Sequence, residues 1–118
     1  MTRLKNEDDI RRIRDAGIVL ADTFALLAEA IDEGVTTLEI DKIAHDNIVK
    51  SGGTPSFLGY MDYPASVCAS VNHVVIHGIP NENKLRNGDI LSLDLGVTLD
   101  GYIADAARSF RIGKVSQI

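Results

Sequence analysis

The sequence contains very little cysteine, and its single thiol, Cys68, cannot form a disulfide within the chain. One free cysteine suits a reducing compartment. The first ten residues, MTRLKNEDDI, lack the apolar core of a signal peptide, and no apolar run in the sequence is long enough to cross a bilayer. These absences predict a cytoplasmic protein that does not enter a membrane.

Positive charge is also scarce, since 12 basic residues stand against 17 acidic ones and the formal net charge is −5. The basic residues are scattered except for Arg11, Arg12 and Arg14, which we expect on the exposed face of a helix. We therefore predict no nucleic-acid partner. A composition of 45% hydrophobic and 25% charged residues, without low-complexity tracts, predicts a single αβ domain over residues 1–118.

A long amphipathic helix is predicted near the start of the chain. Apolar residues recur at steps of three and four from Asn6 to about Glu33, which is the spacing of one helical face. Asn6 can cap the first turn, and Gly34 is expected to end the helix in a left-handed conformation. The predicted inner face consists of Ile10, Ile13, Gly17, Leu20, Phe24, Leu27 and Ile31.

A second helix is predicted directly after the first. Thr36 and Glu39 have the spacing of a capping box, and the helical pattern continues until Gly52-Gly53. The predicted inner face of this helix consists of Ile40, Ile43, Ala44, Asn47 and Ile48.

The strongest strand signal lies near the end of the sequence. From Leu91 onward, apolar residues alternate with polar or small ones, and Asp100-Gly101 is the dipeptide of a tight two-residue turn into a second strand through Phe110. All three prolines fall in residues 55–80, which predicts loops and short strands there. The order of elements indicates an α+β fold, with two N-terminal helices packed on an antiparallel β-sheet.

The predicted turn determines where two carboxylates lie. If Leu99 faces Tyr102, counting back along the hairpin places Asp94 opposite Ala107 and puts Asp105 on the same face as Asp94. Their β-carbons are then diagonal neighbours roughly 7 Å apart, a separation that a bound metal ion can bridge. Without a cation, repulsion between two close carboxylates would raise a pKa. The alternative is a solvent-exposed face on which each carboxylate is hydrated or paired with a basic residue.

The neighbours of these acids favour the metal interpretation. They are small and uncharged, so they leave room for a ligand and supply no neutralising base. Oxygen ligands favour hard or borderline divalent ions such as Mn, Mg, Co or Zn, and bridging carboxylates favour two ions. The neighbours in question are Ser92, Gly96, Ala107 and Ser109.

Other candidate residues come from the middle of the chain. His77 directly precedes a turn in HVVIHGIPN, so it is either a hydrogen-bonded structural histidine or a residue exposed at a cleft. His45 is expected on the surface of the second helix. We expect Cys68 to be a small buried residue or a pocket wall, not a nucleophile, because no activating neighbour is identifiable in the sequence. Tyr60 and Tyr63 are consistent with ordinary packing or with a pocket.

Taken together, YPASVCASVN, HGIP and NGDILSLDLGVTLDGYIADAARSF closely resemble the first half of type I methionine aminopeptidases, which have the pita-bread metallopeptidase fold. The resemblance covers essentially the whole chain. It implies removal of N-terminal methionine from peptides by metal-activated water, with two divalent ions (Mn, Co, Fe, Zn or Mg). The implied metal ligands are Asp94 and Asp105, the implied catalytic residue is His77, and the implied substrate pocket contains Tyr60, Tyr63 and Cys68.

The resemblance extends to only half of the family's metal site. In that family, the second half of the chain supplies a histidine and two glutamates that complete the metal ligands and provide the general base. We therefore expect the 118 residues to be inactive or weakly active alone, and to pair with a complementary second half or with a second copy as a homodimer. The alternative is a non-catalytic, engineered or ancestor-like half-fold module that self-associates.

Overall fold

The computed structural model describes residues 6–59, 64–72 and 78–113. Helices α1 (Glu7–Ala30) and α2 (Thr37–Lys50) are followed by strands β1 (Thr54–Pro55), β2 (Val67–Val71), β3 (Ile90–Leu99) and β4 (Tyr102–Arg111). Two helices pack on an antiparallel sheet, which confirms the predicted α+β class. Within these ranges, no helix combines the length and the apolar character needed to cross a membrane.

Helix α1 begins where the sequence predicts and ends earlier. The Asn6 side chain accepts a hydrogen bond from the backbone N–H of Asp9 at 2.8 Å, and Asp9 accepts one from the backbone N–H of Asn6 at 3.2 Å, which forms a capping box. The helix ends at Ala30, and Ile31 is its extended C-cap. The prediction that Gly34 ends the helix was wrong, since Gly34 has its positive φ of 88° in the turn that follows.

The first turn of α1 directs Asp9, not Ile10, toward the sheet. Asp9 is 4% exposed and accepts a hydrogen bond from the Tyr102 hydroxyl, whereas Ile10 is 48% exposed. The inner-face prediction for Ile10 was wrong because hydrophobic periodicity does not detect a carboxylate with a buried donor. The buried apolar residues of α1 are Ala16, Val19, Leu20, Phe24 and Leu27.

Helix α2 has the predicted N-terminal cap, because the Thr36 hydroxyl accepts a hydrogen bond from the backbone N–H of Glu39 at 3.1 Å. The helix ends at Lys50, with Ser51 as C-cap, close to the predicted glycine pair. Its fully buried apolar residues are Ile40, Ala44 and Ile48, as predicted.

Strand β3 lies at the centre of the sheet. It pairs with β4 along one edge and with β1 and β2 along the other, always antiparallel. One face of β3 is fully buried and belongs to the same core as the apolar residues of both helices. The opposite face therefore presents its polar residues away from the helices. The buried residues of β3 are Leu91, Leu93, Leu95 and Val97.

The chain returns to β2 at Gly78. The backbone N–H of Ala69 donates a hydrogen bond to the Gly78 carbonyl at 2.7 Å, and a β-carbon on Gly78 would overlap the carbonyl group of Ala69. Shortly afterwards the chain contacts α2, where the backbone N–H of Asn81 donates to the Thr37 hydroxyl at 2.9 Å. This segment is thus attached to both the sheet and a helix.

Candidate metal centre

The β3–β4 turn has the predicted geometry. Asp100 and Gly101 have φ values of 51° and 83°, so both central residues lie in the left-handed region that a tight hairpin turn of this type requires. Leu99 pairs with Tyr102 on either side of the turn. The turn therefore sets the register of the whole hairpin.

That register places the two carboxylates on one face. Asp94 pairs with Ala107, as predicted, and Asp105 pairs with Gly96. Because paired residues share a face and alternate residues of a strand point the same way, Asp94 and Asp105 lie on the same side of the sheet. This side is opposite to the buried leucines of β3.

The environment of Asp94 disfavours its charged form. Partial burial, and secondarily the negative charge of Asp105, raise the pKa of Asp94 above its ordinary value near 3.8, while a hydrogen bond from the Leu95 backbone opposes this rise. The direction agrees with the predicted repulsion between two close carboxylates. A divalent cation between them would remove the repulsion, so the donor set suits a hard or borderline ion.

The raised pKa predicts how stability depends on pH. A raised pKa means that the folded chain binds this proton more tightly than the unfolded chain, so ionised Asp94 costs folding free energy. The cost is full above the raised pKa and disappears as the pH falls toward 3.8. Asp94→Asn is therefore expected to raise the free energy of unfolding at pH 7 by a few tenths of a kcal/mol, because the side chain is largely exposed.

Urea unfolding in the presence of EDTA, at pH 7 and at acidic pH, measures this effect. The increase in the free energy of unfolding caused by Asp94→Asn should become smaller as the pH falls. The control is Asp22→Asn, which removes an equal charge from the exposed face of α1. An increase in the free energy of unfolding that stays constant with pH, or an equal increase in Asp22→Asn, would contradict a raised pKa of Asp94.

Strand β2 borders Asp94 along the edge of β3 that faces away from β4. Cys68 pairs with Asp94, and Ser70 pairs with Ser92. The hydroxyls of Ser92 and Ser109 lie 3.1 Å apart across the hairpin. The half-buried Cys68 and these hydroxyls are small, uncharged neighbours of the kind predicted from the sequence.

The segment after β1 continues alongside β3. The backbone N–H of Ser56 donates a hydrogen bond to the Gly96 carbonyl at 3.0 Å, and the Ser56 and Thr98 hydroxyls are 2.8 Å apart. A β-carbon on Gly96 would lie 3.0 Å from the β-carbon of Ser56. Gly96 thus leaves room for the Ser56 side chain beside the strand that carries Asp94.

The structure brings together three of the predicted site residues, Asp94, Asp105 and Cys68. Tyr60, Tyr63 and His77 lie outside the described residues. In the described ranges 6–59, 64–72 and 78–113, no group of three or more His, Cys, Asp or Glu residues is placed to hold a metal ion. The described part of the chain therefore offers two carboxylates, with no third residue of these four types placed to complete a metal site.

Sequence reasoning missed a polar cluster between α2 and β2. His45, predicted on the surface, is half-buried, and its Nδ1 lies 3.1 Å from the Ser66 hydroxyl. Asp41, on the same helix, accepts hydrogen bonds from the backbone at the start of β2. No local pattern could reveal these contacts, since their partners are 21 to 26 residues apart in the sequence.

Similarity to known proteins agrees with this geometry. The sequence profile of metallopeptidase family M24 matches residues 11–118. The chain is 50% identical over 117 residues to the methionine aminopeptidase of Clostridium perfringens, and the match covers 99% of this chain and 47% of that protein. The crystal structure of methionine aminopeptidase from Rickettsia prowazekii superposes with a TM-score of 0.92 at 37% identity, covering 98% of this chain and 47% of that one.

More distant structures share the fold. Prolidase from Pyrococcus furiosus superposes with a TM-score of 0.77 at 18% identity, covering 97% of this chain and 32% of that one. The chain spans about half the length of the curated relatives it matches. The predicted half of a pita-bread fold is confirmed by the methionine aminopeptidase structures. The chain belongs to metallopeptidase family M24.

Proposed function

We propose that this chain contributes Asp94 and Asp105 to a divalent-metal site that removes N-terminal methionine from peptides. The observation that carries the proposal is the hairpin register, which puts both carboxylates on one face of the sheet. The raised pKa of Asp94, caused by partial burial and by the charge of Asp105, supports it. The similarity to methionine aminopeptidases supports the choice of substrate.

The remaining ligands must come from outside the described residues. Two carboxylates are too few to hold a pair of divalent ions tightly. We propose that a complementary half supplies the other ligands, and that the ions are drawn from Mn, Co, Fe, Zn and Mg. The face that carries Asp94 and Asp105 is open to such a half, because both residues are exposed.

The residues of this chain have distinct proposed roles at that face. When bound, divalent ions supply Lewis acidity toward a peptide carbonyl and lower the pKa of water toward neutrality. Asp94 must lose its proton to bind a cation, so its raised pKa makes binding weaker at acidic pH. Cys68 is proposed to form a pocket wall for the methionine side chain, together with Tyr60 and Tyr63. His77 is proposed to donate a hydrogen bond to the substrate.

A complementation assay tests this function. The 118-residue chain is mixed with a polypeptide comprising the part of the Clostridium perfringens enzyme that it does not match, and hydrolysis of Met-Ala-Ser is measured with Mn or Co. We expect methionine release from the mixture, little or none from either polypeptide alone, and loss of activity with EDTA. If the two polypeptides form a stable complex without metal-dependent release, the proposed function is wrong.

A non-catalytic, self-associating module is the second candidate. It is favoured by exposed apolar side chains on the carboxylate face, where Ile90 is 43% and Ile103 is 62% exposed. Exposed apolar surface of this kind promotes association. Light scattering of the chain distinguishes the cases, since a folded monomer at micromolar concentration would exclude a homodimer.

A further inference from the structure

We infer that Asp41 and His45 of α2 are positioning residues that hold the start of β2 beside the carboxylate pair. We call Asp41, His45 and Ser66 the α2–β2 clamp. The inference deepens the proposed function, because β2 carries Cys68, the proposed wall of the methionine pocket. The clamp acts on the pocket through the backbone and does not touch the reacting atoms.

Asp41 holds the backbone at the point where it enters β2. A single carboxylate oxygen, Oδ1, accepts hydrogen bonds from the backbone N–H groups of Ser66 at 2.7 Å and Val67 at 3.0 Å. Hydrogen bonds to an ionised acceptor are stronger than those between neutral groups. One side chain of α2 therefore fixes two consecutive residues, Ser66 just before the strand and Val67 at its start.

His45 adds a second contact from the same helix. It lies one turn after Asp41, so the two side chains project on the same side of α2. The His45 ring nitrogen Nδ1 is 3.1 Å from the Ser66 hydroxyl, and Ser66 is only 1% exposed. The backbone and the side chain of Ser66 are thus both held by α2.

The clamp lies next to the proposed pocket wall. Val67 points into the core and is fully buried, and the next residue, Cys68, points to the carboxylate face and pairs with Asp94. Strand β2 is only five residues long, and its first residue, Val67, pairs with Leu95 of β3. A displacement at Ser66 would therefore move Cys68 relative to Asp94.

The hydrogen bonds of the clamp are separate from the apolar contacts that anchor α2 and β3. Helix α2 is anchored by Ile40, Ala44 and Ile48, which are fully buried, and β3 is anchored by its own buried leucines. Loss of the Asp41 hydrogen bonds should therefore free the start of β2 without unfolding β3. This local response distinguishes a positioning role from a general contribution to stability.

The test compares Asp41→Ala with Asp41→Asn, which keeps a neutral acceptor. The control is Asp46→Asn, on the exposed side of the same helix, where Asp46 pairs with Lys42 at 2.7 Å. Two measurements are made in EDTA: amide hydrogen exchange, and the rate at which Cys68, the only thiol, reacts with DTNB. In Asp41→Ala, we expect exchange at Ser66 and Val67 to accelerate roughly 10- to 100-fold.

We also expect faster reaction of Cys68 in Asp41→Ala and unchanged exchange at Leu93 and Leu95. For both measurements, the rates in Asp41→Asn should lie between those of Asp41→Ala and the parent chain. The rates in Asp46→Asn should equal those of the parent chain. An equal acceleration across β3, or unchanged exchange at Val67, would overturn the inference. If Asp41→Ala does not fold, Ser66→Ala removes only the hydroxyl contact with His45 and should accelerate exchange at Val67 several-fold; no acceleration there overturns the inference too.

The outcome does not depend on metal binding. Because both measurements are made in EDTA, they report the clamp even if the proposed metal site is absent. A separate calorimetric titration with Mn, made on the chain mixed with the complementary half of the complementation assay, reports the metal site. Failure of one proposal is therefore distinguishable from failure of the other.

Discussion

Replacement of Gly78 with alanine is expected to lower the free energy of unfolding by about 3 kcal/mol or more, or to prevent folding altogether. The added β-carbon would overlap the carbonyl group of Ala69 and would lie 3.0 Å from the α-carbon of Ser70. Both contacts are with the backbone of β2. Rotation of a side chain therefore cannot relieve the overlap.

The surroundings leave β2 little freedom to move away. Ala69 donates its backbone N–H to the Gly78 carbonyl at 2.7 Å, so the two segments are held at hydrogen-bonding distance. On the other side, Ala69 pairs with Leu93, which is fully buried. Accommodating a methyl group would require either loss of the hydrogen bond or displacement of a core strand.

Urea unfolding followed by circular dichroism measures the effect. The matched control is Gly17→Ala in α1, where an added β-carbon meets no atom within 4 Å. That substitution is expected to stabilise the chain by about 0.5 to 1 kcal/mol, because alanine is the better helix former. A stability of Gly78→Ala equal to that of the parent would show that the close approach to Ala69 is absent.

Replacement of either Asp94 or Asp105 with asparagine is expected to reduce metal-dependent methionine release in the complementation assay by at least about 100-fold. Asparagine keeps the size of the side chain but removes the negative charge that attracts a divalent cation. Neither strand of the hairpin contains a second acidic residue, so no other carboxylate in the two strands could replace Asp94 or Asp105. Calorimetry with Mn should show the corresponding loss of affinity.

Asp100→Asn provides the charge-matched control for this experiment. Asp100 lies in the same hairpin with a positive φ of 51°, a conformation that asparagine tolerates well. We expect its methionine release to stay within about two-fold of the parent, since surface charge away from a site has little effect. Equal losses in Asp94→Asn and Asp100→Asn would falsify the assignment of Asp94 as a ligand.

The parts of the fold that the sequence predicts correctly depend on short-range rules. The Asp100-Gly101 turn requires two residues with positive φ, and this requirement fixed the pairing of Asp94 with Ala107. The N-terminal caps of the two helices, Asn6 and Thr36, are predicted because their side chains can accept hydrogen bonds from amides three residues later. In each case the partners are close in sequence, so the pattern is visible without coordinates.

The parts that the sequence does not predict depend on contacts between distant residues. The Tyr102 hydroxyl reaches Asp9 across 93 residues of sequence, and this contact places a carboxylate where periodicity predicts Ile10. The carboxylate of Asp41 reaches Ser66 across 25 residues. Such contacts are set by how the helices pack on the sheet, and neither residue type nor spacing records that packing.

Strand β3 pairs with each of the other three described strands, while its leucines fill the core and Asp94 faces the opposite way. Deletion or insertion of a single codon within it would reverse the facing of every residue on one side of the change, so that leucines there would point outward or Asp94 inward. Natural variation in this strand is therefore expected to proceed by substitution alone. Its length should be among the least variable features of homologous sequences, because folding and chemistry would be lost in the same event.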